Sequence, residues 1–248
     1  RELAKQNPEA YLPDVAASLN NLGVLLRNTN NLKQAQDYQE EALQIRRELT
    51  KQNPEAYLPD VAASLNNLGN LLSDTNDLKK AQDYYEEALQ IHRELAQQNP
   101  EAYLPDVAAS LNNLGNLISD TNDLKQAQDY YEEALQIRRE LARKNPEAYL
   151  PDVAASLNNL GILLCDTNDL KQAQDYYEEA LQIRRELAKK NPEAYLPDVA
   201  ASLNNLGSLL RDTNDLKQAQ DYYEKALQIR RELAKQNPEA YLPDVAAS

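Results

Sequence analysis

The chain has 248 residues, a net charge of −14, one cysteine, and no methionine or tryptophan. Such an acidic protein is poorly suited to a nucleic-acid backbone or an anionic membrane surface, and no apolar run approaches the roughly 18 residues of a membrane span. Cys165 has no second cysteine to pair with, which is typical of a reducing compartment. We therefore expect a cytoplasmic protein with no nucleic-acid or membrane partner.

The sequence repeats itself with a fixed period. The segment that starts at Leu19 returns at Leu65, 46 residues later (65 − 19), and then three more times at the same spacing. A period of this length predicts a solenoid of stacked units. The first and last 18 residues are the same string, as in a segment cut from a longer array or an engineered one. We predict the tail of a preceding repeat at 1–12, five repeats at 13–58, 59–104, 105–150, 151–196 and 197–242, and a truncated sixth at 243–248.

Each repeat predicts one helical hairpin, as the second repeat illustrates. Apolar residues at intervals of three and four predict a first helix over about 59–73 and a second helix over 78–95. The small residues Gly69 and Ala81 mark the expected contact between these two helices. A lone hairpin cannot bury both of its apolar faces, so the fold class that we predict is an all-α solenoid of stacked hairpins.

Polar residues separate the helices. Asn76 suits a left-handed helix end, and Asp77 suits the N-cap of the second helix. After the second helix, the stretch QQNPEAYLP at 97–105 contains two prolines and predicts a connector without helix. One tyrosine of this connector recurs in every copy, and we expect it to pack under the next hairpin: Tyr11, Tyr57, Tyr103, Tyr149, Tyr195 and Tyr241.

The stretch LNNLGNLLSDTNDLKKAQDYYEEAL resembles the tetratricopeptide repeat (TPR), with Leu68, Gly69, Ala81, Tyr85 and Ala88 at the signature spacing of that family. The match recurs in all five copies and covers essentially the whole chain. The long unit, with PDVAASLNNLG and ALQIRREL, is similar to the repeats of kinesin light chains and related bacterial arrays. The resemblance implies a right-handed superhelix whose first helices line a concave groove.

Three positions depart from the family pattern. Leu65 replaces a large aromatic residue, Asn76 replaces the turn glycine, and Arg93 replaces the closing proline. The unit is also longer than the usual TPR of about 34 residues. The extra length falls in the second helix and the connector.

Each first helix carries two adjacent asparagines, although asparagine is a mediocre helix former. A primary amide can both donate and accept, as a peptide bond requires. In kinesin light chains these asparagines hold the backbone of a bound peptide, and the resemblance implies the same role here. Two other interpretations stay open, since the amides could bridge neighbouring repeats or simply face water. The residues are Asn20, Asn21, Asn66, Asn67, Asn112, Asn113, Asn158, Asn159, Asn204 and Asn205.

Two columns of the repeat change polarity and charge from copy to copy. The first column holds Val24, Asn70, Asn116, Ile162 and Ser208. The second column, three residues later on the same helix face, holds Arg27, Ser73, Ser119, Cys165 and Arg211. If the first helices line a groove, these columns form its floor and read the sequence of a ligand. Neutral drift is the alternative, although the outer face changes more conservatively, as from Arg46 to His92.

The charges of this face predict the kind of ligand. Four repeats end their first helix with an aspartate: Asp74, Asp120, Asp166 and Asp212. Arg27 and Arg211 lie near opposite ends of the chain, and Ile162 with Cys165 predicts one apolar patch. We expect an extended peptide that is neutral or basic in its middle, with an acidic group tolerated only beside Arg27 or Arg211.

No feature of the sequence predicts catalysis. Cys165 has no histidine near it, and the single histidine, His92, stands where other repeats have arginine and is interpreted as a surface substitution. The sequence contains no Gly-rich phosphate loop and no metal-ligand spacing. We therefore predict a non-enzymatic protein without a cofactor or metal.

Two functions remain. The first is a protein–protein interaction scaffold that binds a peptide in the concave groove. The second is a structural spacer or self-assembling rod, because uncapped solenoid ends invite head-to-tail contacts between copies. Substitution of the asparagine pairs distinguishes the two functions, since a spacer does not depend on them.

Overall fold

The computed structural model describes residues 7–237, without the side chains of residues 8 and 9. This range forms ten helices and no strand. They are α1 (Pro8–Asn28), α2 (Leu32–Gln52), α3 (Pro54–Asp74), α4 (Leu78–Gln98), α5 (Pro100–Asp120), α6 (Leu124–Lys144), α7 (Pro146–Asp166), α8 (Leu170–Lys190), α9 (Pro192–Asp212) and α10 (Leu216–Gln236). The chain divides into two compact units inside α6, one up to Tyr130 and the other from Tyr131 onwards.

A left-handed asparagine separates the two helices of each hairpin, as the sequence predicts. Its φ lies between 61° and 66° in Asn30, Asn76, Asn122, Asn168 and Asn214. Asparagine adopts this conformation more readily than most residues because its short side chain can hydrogen-bond locally. The residue that follows lies at the N-cap of the second helix, although Asn31 and Asp77 make no side-chain capping hydrogen bond there. In the fourth repeat, the Asp169 carboxylate accepts a hydrogen bond from the Gln172 backbone N–H at 3.3 Å.

The prediction of a connector without helix between hairpins is wrong. Helix α5 begins at Pro100, five residues before Pro105, where the sequence predicts the start (105 − 100). A single residue, Asn99, joins α4 to α5. Its backbone N–H bonds the Leu95 carbonyl, and its side-chain oxygen accepts from the Ala102 N–H at 3.3 Å. This cap and a proline at the first helical position, where a missing N–H costs nothing, start the helix early enough to enclose Pro105.

Hairpins of the first unit stack as expected for a solenoid. Within hairpins α1 packs on α2 and α3 on α4, and between hairpins α2 packs on α3 and α4 on α5. The first helices also contact one another, α1 with α3 and α3 with α5. One core cluster combines Leu43, Leu65, Leu68 and Leu95, each at most 5% exposed. Full burial of one such leucine contributes about 2 kcal/mol relative to an exposed one.

The second unit has the same construction. Helix α7 packs on α8, α8 on α9 and α9 on α10. Its core cluster includes Leu164, Tyr177, Leu203 and Leu206. The prediction of an all-α solenoid of stacked hairpins is thus confirmed. None of the helices in residues 7–237 is long and apolar enough to cross a membrane. The partial repeats predicted at the two ends lie mostly outside the described residues.

A tyrosine, rather than the expected Ala81, makes the closest approach to Gly69. A Cβ atom on Gly69 would lie 2.5 Å from Cε1 of Tyr85, so the ring can approach only because glycine has no side chain. The same contact recurs in the fourth and fifth repeats. The first repeat has Gln39 instead, which is fully buried, and neither of its amide atoms finds a hydrogen-bond partner among the described residues.

The tyrosines assigned to the connector lie instead in the first turns of the first helices. Tyr103 and Tyr195 pack, partly buried, against the core clusters of their units. Tyr11 is 38% exposed, and Tyr241 lies outside the described residues. Partial burial against a core cluster is thus found for Tyr103 and Tyr195, whereas Tyr11 is more exposed.

The interpretation of His92 as a surface residue is wrong. His92 is 5% exposed, and its Nδ1 lies 2.9 Å from Ser110 Oγ in the following hairpin. The matching Arg46 is 7% exposed and donates to Ser64 Oγ at 2.6 Å. This column therefore belongs to the junction between hairpins, where a long side chain on the second helix reaches a buried serine. The change from Arg46 to His92 is consequently no measure of drift on an outer face.

Candidate functional site

The variable columns of the first unit lie beside a tyrosine hydroxyl. Tyr85 Oη donates a hydrogen bond to Asn70 Oδ1 at 2.7 Å. Burial raises the pKa of Tyr85 to about 12, so the hydroxyl stays neutral and acts as a donor at physiological pH. The hydroxyl reaches the first-helix face because Gly69 lets the ring lie against α3. One polar side chain of the variable column is thereby held in a fixed orientation.

Arg27 pairs with a carboxylate of the next repeat. Its Nε and Nη2 donate to the two oxygens of Asp74 at 2.5 and 3.1 Å. These hydrogen bonds raise the pKa of Arg27. The two side chains are 31% and 40% exposed, so the pair contributes little to stability. The pair matters for ligand binding, because the Arg27 guanidinium is neutralised by a carboxylate and offers no unpaired charge to a ligand.

Some of the paired asparagines join neighbouring first helices. Asn67 Nδ2 donates to Asn20 Oδ1 at 3.0 Å, and Asn205 Nδ2 donates to Asn158 Oδ1 at 2.7 Å. The inter-repeat bridge, which the sequence left open, is therefore present. All four side chains are half-buried. Each bridge uses one N–H of one amide and the oxygen of the other, so hydrogen-bonding groups remain on both residues.

A polar pocket opens on the first-helix face of the first unit. Its lining comes from three successive repeats and consists of Arg27, Asn70, Ser73, Asp74, Tyr85, Asn113, Asn116, Leu117 and Asp120. Five of these are residues that the sequence predicts to bind a ligand: Arg27, Asn70, Ser73, Asn113 and Asn116. The stacking of hairpins thus gathers predicted residues from separate repeats into one concave, mainly polar site.

In the second unit the predicted residues have a less polar setting. Ile162 is 48% exposed, and the half-buried Cys165 has its Sγ atom 3.9 Å from Tyr177 Oη. Burial raises the pKa of the Cys165 thiol, so it stays protonated at neutral pH. Arg211 donates to the adjacent Asp212 at 3.0 Å. Both arginines of the variable column therefore pair with aspartates of this chain.

The other predicted residues do not line the pocket. Asn21 is exposed, whereas Val24 and Ser119 are half-buried. Ser208 Oγ lies 3.0 Å from a tyrosine hydroxyl, in the same arrangement as at Asn70. Asn66 donates to a serine of the following first helix at 3.2 Å. The remaining asparagines of the pairs, all half-buried, are Asn112, Asn159 and Asn204.

Sequence reasoning missed the contribution of Tyr85 and Leu117 to the pocket. The helical spacing of Tyr85 indicates a core residue, and its ring is indeed buried, but its hydroxyl faces the variable column. A signal was available, because Gly69 lies one residue before the column and only glycine admits a ring there. Among residues 7–237, no group of three or more His, Cys, Asp or Glu side chains could hold a metal ion.

Solved structures share this fold. BtubC (BKLC) from P. vanneervenii is 28% identical, with a TM-score of 0.74 over 94% of this chain and 86% of that one. A putative kinesin light chain with nearly identical TPR-like repeats from Podosopora anserina is 17% identical, with a TM-score of 0.68 over 91% and 98%. PilF from Pseudomonas aeruginosa is 20% identical, with a TM-score of 0.59 over 95% and 89%. The last two show the fold alone. No curated protein matches this chain.

The family model described as Tetratricopeptide repeat matches five segments of the chain: 15–54, 61–100, 107–146, 153–193 and 199–239. Each segment covers most of one helical hairpin, and together they account for most of the sequence. Repeats of this kind form scaffolds for protein interactions, and the expected resemblance is confirmed. With the period, the stacked hairpins and all five matches in agreement, the chain belongs to the tetratricopeptide repeat family.

Proposed function

We propose that the chain is a non-enzymatic interaction scaffold that binds an extended peptide segment along the face formed by its first helices. The observation that carries this proposal is the pocket of the first unit, where predicted ligand-binding side chains from three repeats meet. Packed helices lie about 8–10 Å apart, and an extended chain advances about 3.3 Å per residue. A peptide that crosses these helices therefore meets a new set of side chains about every three residues.

Amide side chains supply contacts to the backbone of such a peptide. Asn67 and Asn20 keep hydrogen-bonding groups beyond their mutual bridge, and the bridge limits the rotation of both. Asn113, which lines the pocket, makes no side-chain hydrogen bond with the described residues. Oriented amides of this kind suit a peptide bond, which presents one donor and one acceptor to each side.

The charges favour a neutral or basic peptide. Arg27 and Arg211 are both paired with aspartates, which removes the basis for expecting an acidic group beside them. The net charge of −14 adds a long-range attraction for basic segments that weakens with salt. The peptide is therefore proposed to be neutral or basic along the whole face.

A structural spacer is the second candidate function. The observation that favours it is the bridge between Asn67 and Asn20, which gives these amides a role in stacking that needs no ligand. A spacer leaves the pocket and the unbridged Asn113 without a purpose, whereas a peptide scaffold uses both. The two candidates differ in whether loss of an amide that takes no part in stacking, such as Asn113, weakens peptide binding.

A peptide array probed with labelled protein tests the proposal. The proteins are the wild type, Asn113→Ala, and Gln90→Ala as a matched loss of an exposed amide on the second helix α4. We expect the wild type to bind a subset of peptides, and Asn113→Ala to bind them about three- to tenfold more weakly, as the loss of one hydrogen bond implies. Gln90→Ala should bind as the wild type does. No binding by the wild type would favour the spacer, and equal binding by all three proteins would show that the peptide does not lie at Asn113.

A further inference from the structure

Asp74 and Asp120 hold the same position in successive repeats, 46 residues apart (120 − 74), but differ in their partners. Asp74 binds the guanidinium of Arg27 through both of its oxygens. Asp120 lines the same pocket and forms no ion pair with any described residue. The first unit thus contains one aspartate that is paired with an arginine, Asp74, and an equivalent one that is not, Asp120.

The difference follows from one residue of the variable column. Arg27 precedes Asp74 by 47 residues (74 − 27), and Ser73 precedes Asp120 by the same 47 (120 − 73). Ser73 is too short to reach the carboxylate, and both residues line the pocket. The space that an arginine fills between α1 and α3 is therefore open between α3 and α5.

The surroundings of this space add hydrogen-bonding groups. Asn70 is held by the Tyr85 hydroxyl, and Asn113 makes no side-chain hydrogen bond within the described part of the chain.

We infer that the pocket at Ser73 and Asp120 binds the side chain of an arginine in the peptide partner. This inference rests on the proposed function and specifies what the peptide presents to the first unit. The ligand's guanidinium takes the place at Asp120 that Arg27 takes at Asp74. The charges of Arg27 and Asp74 cancel each other, which leaves the negative charge of Asp120 in the pocket. This charge attracts a cation.

Arginine is favoured over lysine for a geometric reason. The pairing of Arg27 with Asp74 is bidentate, through Nε and Nη2. A planar guanidinium can form two parallel hydrogen bonds to a carboxylate and still offer donors to neighbouring amides, whereas an ammonium group acts as a point charge. The pocket therefore distinguishes the shape of the cation as well as its charge.

The test compares peptides that bind the wild type with copies in which each arginine is replaced by citrulline, its uncharged analogue, or by lysine. We expect binders to be enriched in arginine. Citrulline at one position should weaken binding about three- to tenfold, and lysine should weaken it less. The protein variants are Ser73→Arg, which fills the pocket with the chain's own arginine, and Asp120→Asn, which removes the charge. Both should bind arginine and citrulline peptides equally.

Ser73→Ala is the matched control, because it removes the hydroxyl without filling the pocket, and it should discriminate as the wild type does. Ser73→Arg recreates a pair that the chain already forms one repeat earlier, so it is expected to fold, and thermal melting checks this. Peptides that bind with no preference for arginine, or a Ser73→Arg variant that discriminates like the wild type, would overturn this inference alone. If no peptide binds, the proposed function fails with it.

Discussion

At the scale of single residues, the junctions between hairpins differ in one buried polar contact. Arg46 reaches Ser64 at 2.6 Å, and Arg138 reaches Ser156 at 2.6 Å. His92 makes the corresponding contact with Ser110 at 2.9 Å. Arginine stays charged at any accessible pH, whereas histidine titrates near neutrality. The junction between α4 and α5 therefore has a pH dependence that the arginine junctions lack.

Burial lowers the pKa of His92, while Asp106 opposes this shift. The folded state therefore favours the neutral ring, and its contribution is complete above the unfolded pKa of about 6.5. Below that pH the contribution is lost, at no more than about 1.4 kcal/mol per pH unit for one proton. We expect the wild type to lose more stability than His92→Arg between pH 7.5 and 5.5. Urea unfolding of both proteins measures this, and equal losses would show that His92 does not titrate on unfolding.

The role of this column could not be predicted from the sequence. Arginine is usually exposed, so a change from arginine to histidine reads as surface variation. The partner of His92 lies 18 residues further along the chain (110 − 92), on the next helix, and is an ordinary serine. Only the packing of α4 on α5 shows that both residues are buried.

At the scale of helices, one asparagine performs two tasks. Asn99 ends α4 through its backbone N–H and begins α5 through its side-chain oxygen. Asn53, Asn145 and Asn191 cap the start of the following helix in the same way. A one-residue link of this kind restricts how far one hairpin can move against the next.

Loss of this cap should destabilise the stack. We expect Asn99→Ala to lower the free energy of unfolding by about 1 kcal/mol, as for other N-caps. Asn99→Asp keeps the acceptor oxygen and should retain most of the stability. Chemical denaturation of the three proteins tests this, and an alanine variant as stable as the wild type would show that the cap contributes nothing.

Apolar spacing and turn residues predicted the helices correctly in kind and largely in extent. The left-handed Asn76 and the helix that follows it agree with the sequence. The start of each first helix differs from the prediction, because a proline within the helix predicts a stop there. Asn99 and Pro100 together form a start signal that outweighs Pro105. Local rules weigh these residues separately, whereas the helix depends on their combination.

At the scale of the whole molecule, the period and the resemblance were enough to predict a repeat solenoid of this family. The pocket is harder to predict, since it depends on pairs that are 47 residues apart, such as Arg27 with Asp74. The variable columns predicted which face of the first helices carries the pocket. The hydrogen bonds between asparagines of neighbouring repeats give these amides a role in stacking as well. Only the packing of the helices determines which hydrogen-bonding groups are left without a partner.

Photo-crosslinking of an array-selected peptide shows which helices the bound peptide contacts. The peptide carries a diazirine-bearing leucine, and mass spectrometry identifies the fragments attached to it after irradiation. Tryptic fragments distinguish these repeats, because the fragment with Asn70 runs from Gln52 to Lys79 and the fragment with Asn116 runs from Glu94 to Lys125. We expect crosslinks on the first helices, concentrated on α3 and α5, because the peptide is proposed to lie along that face. Crosslinks mainly on exposed residues of the second helices, such as Gln90, would contradict it.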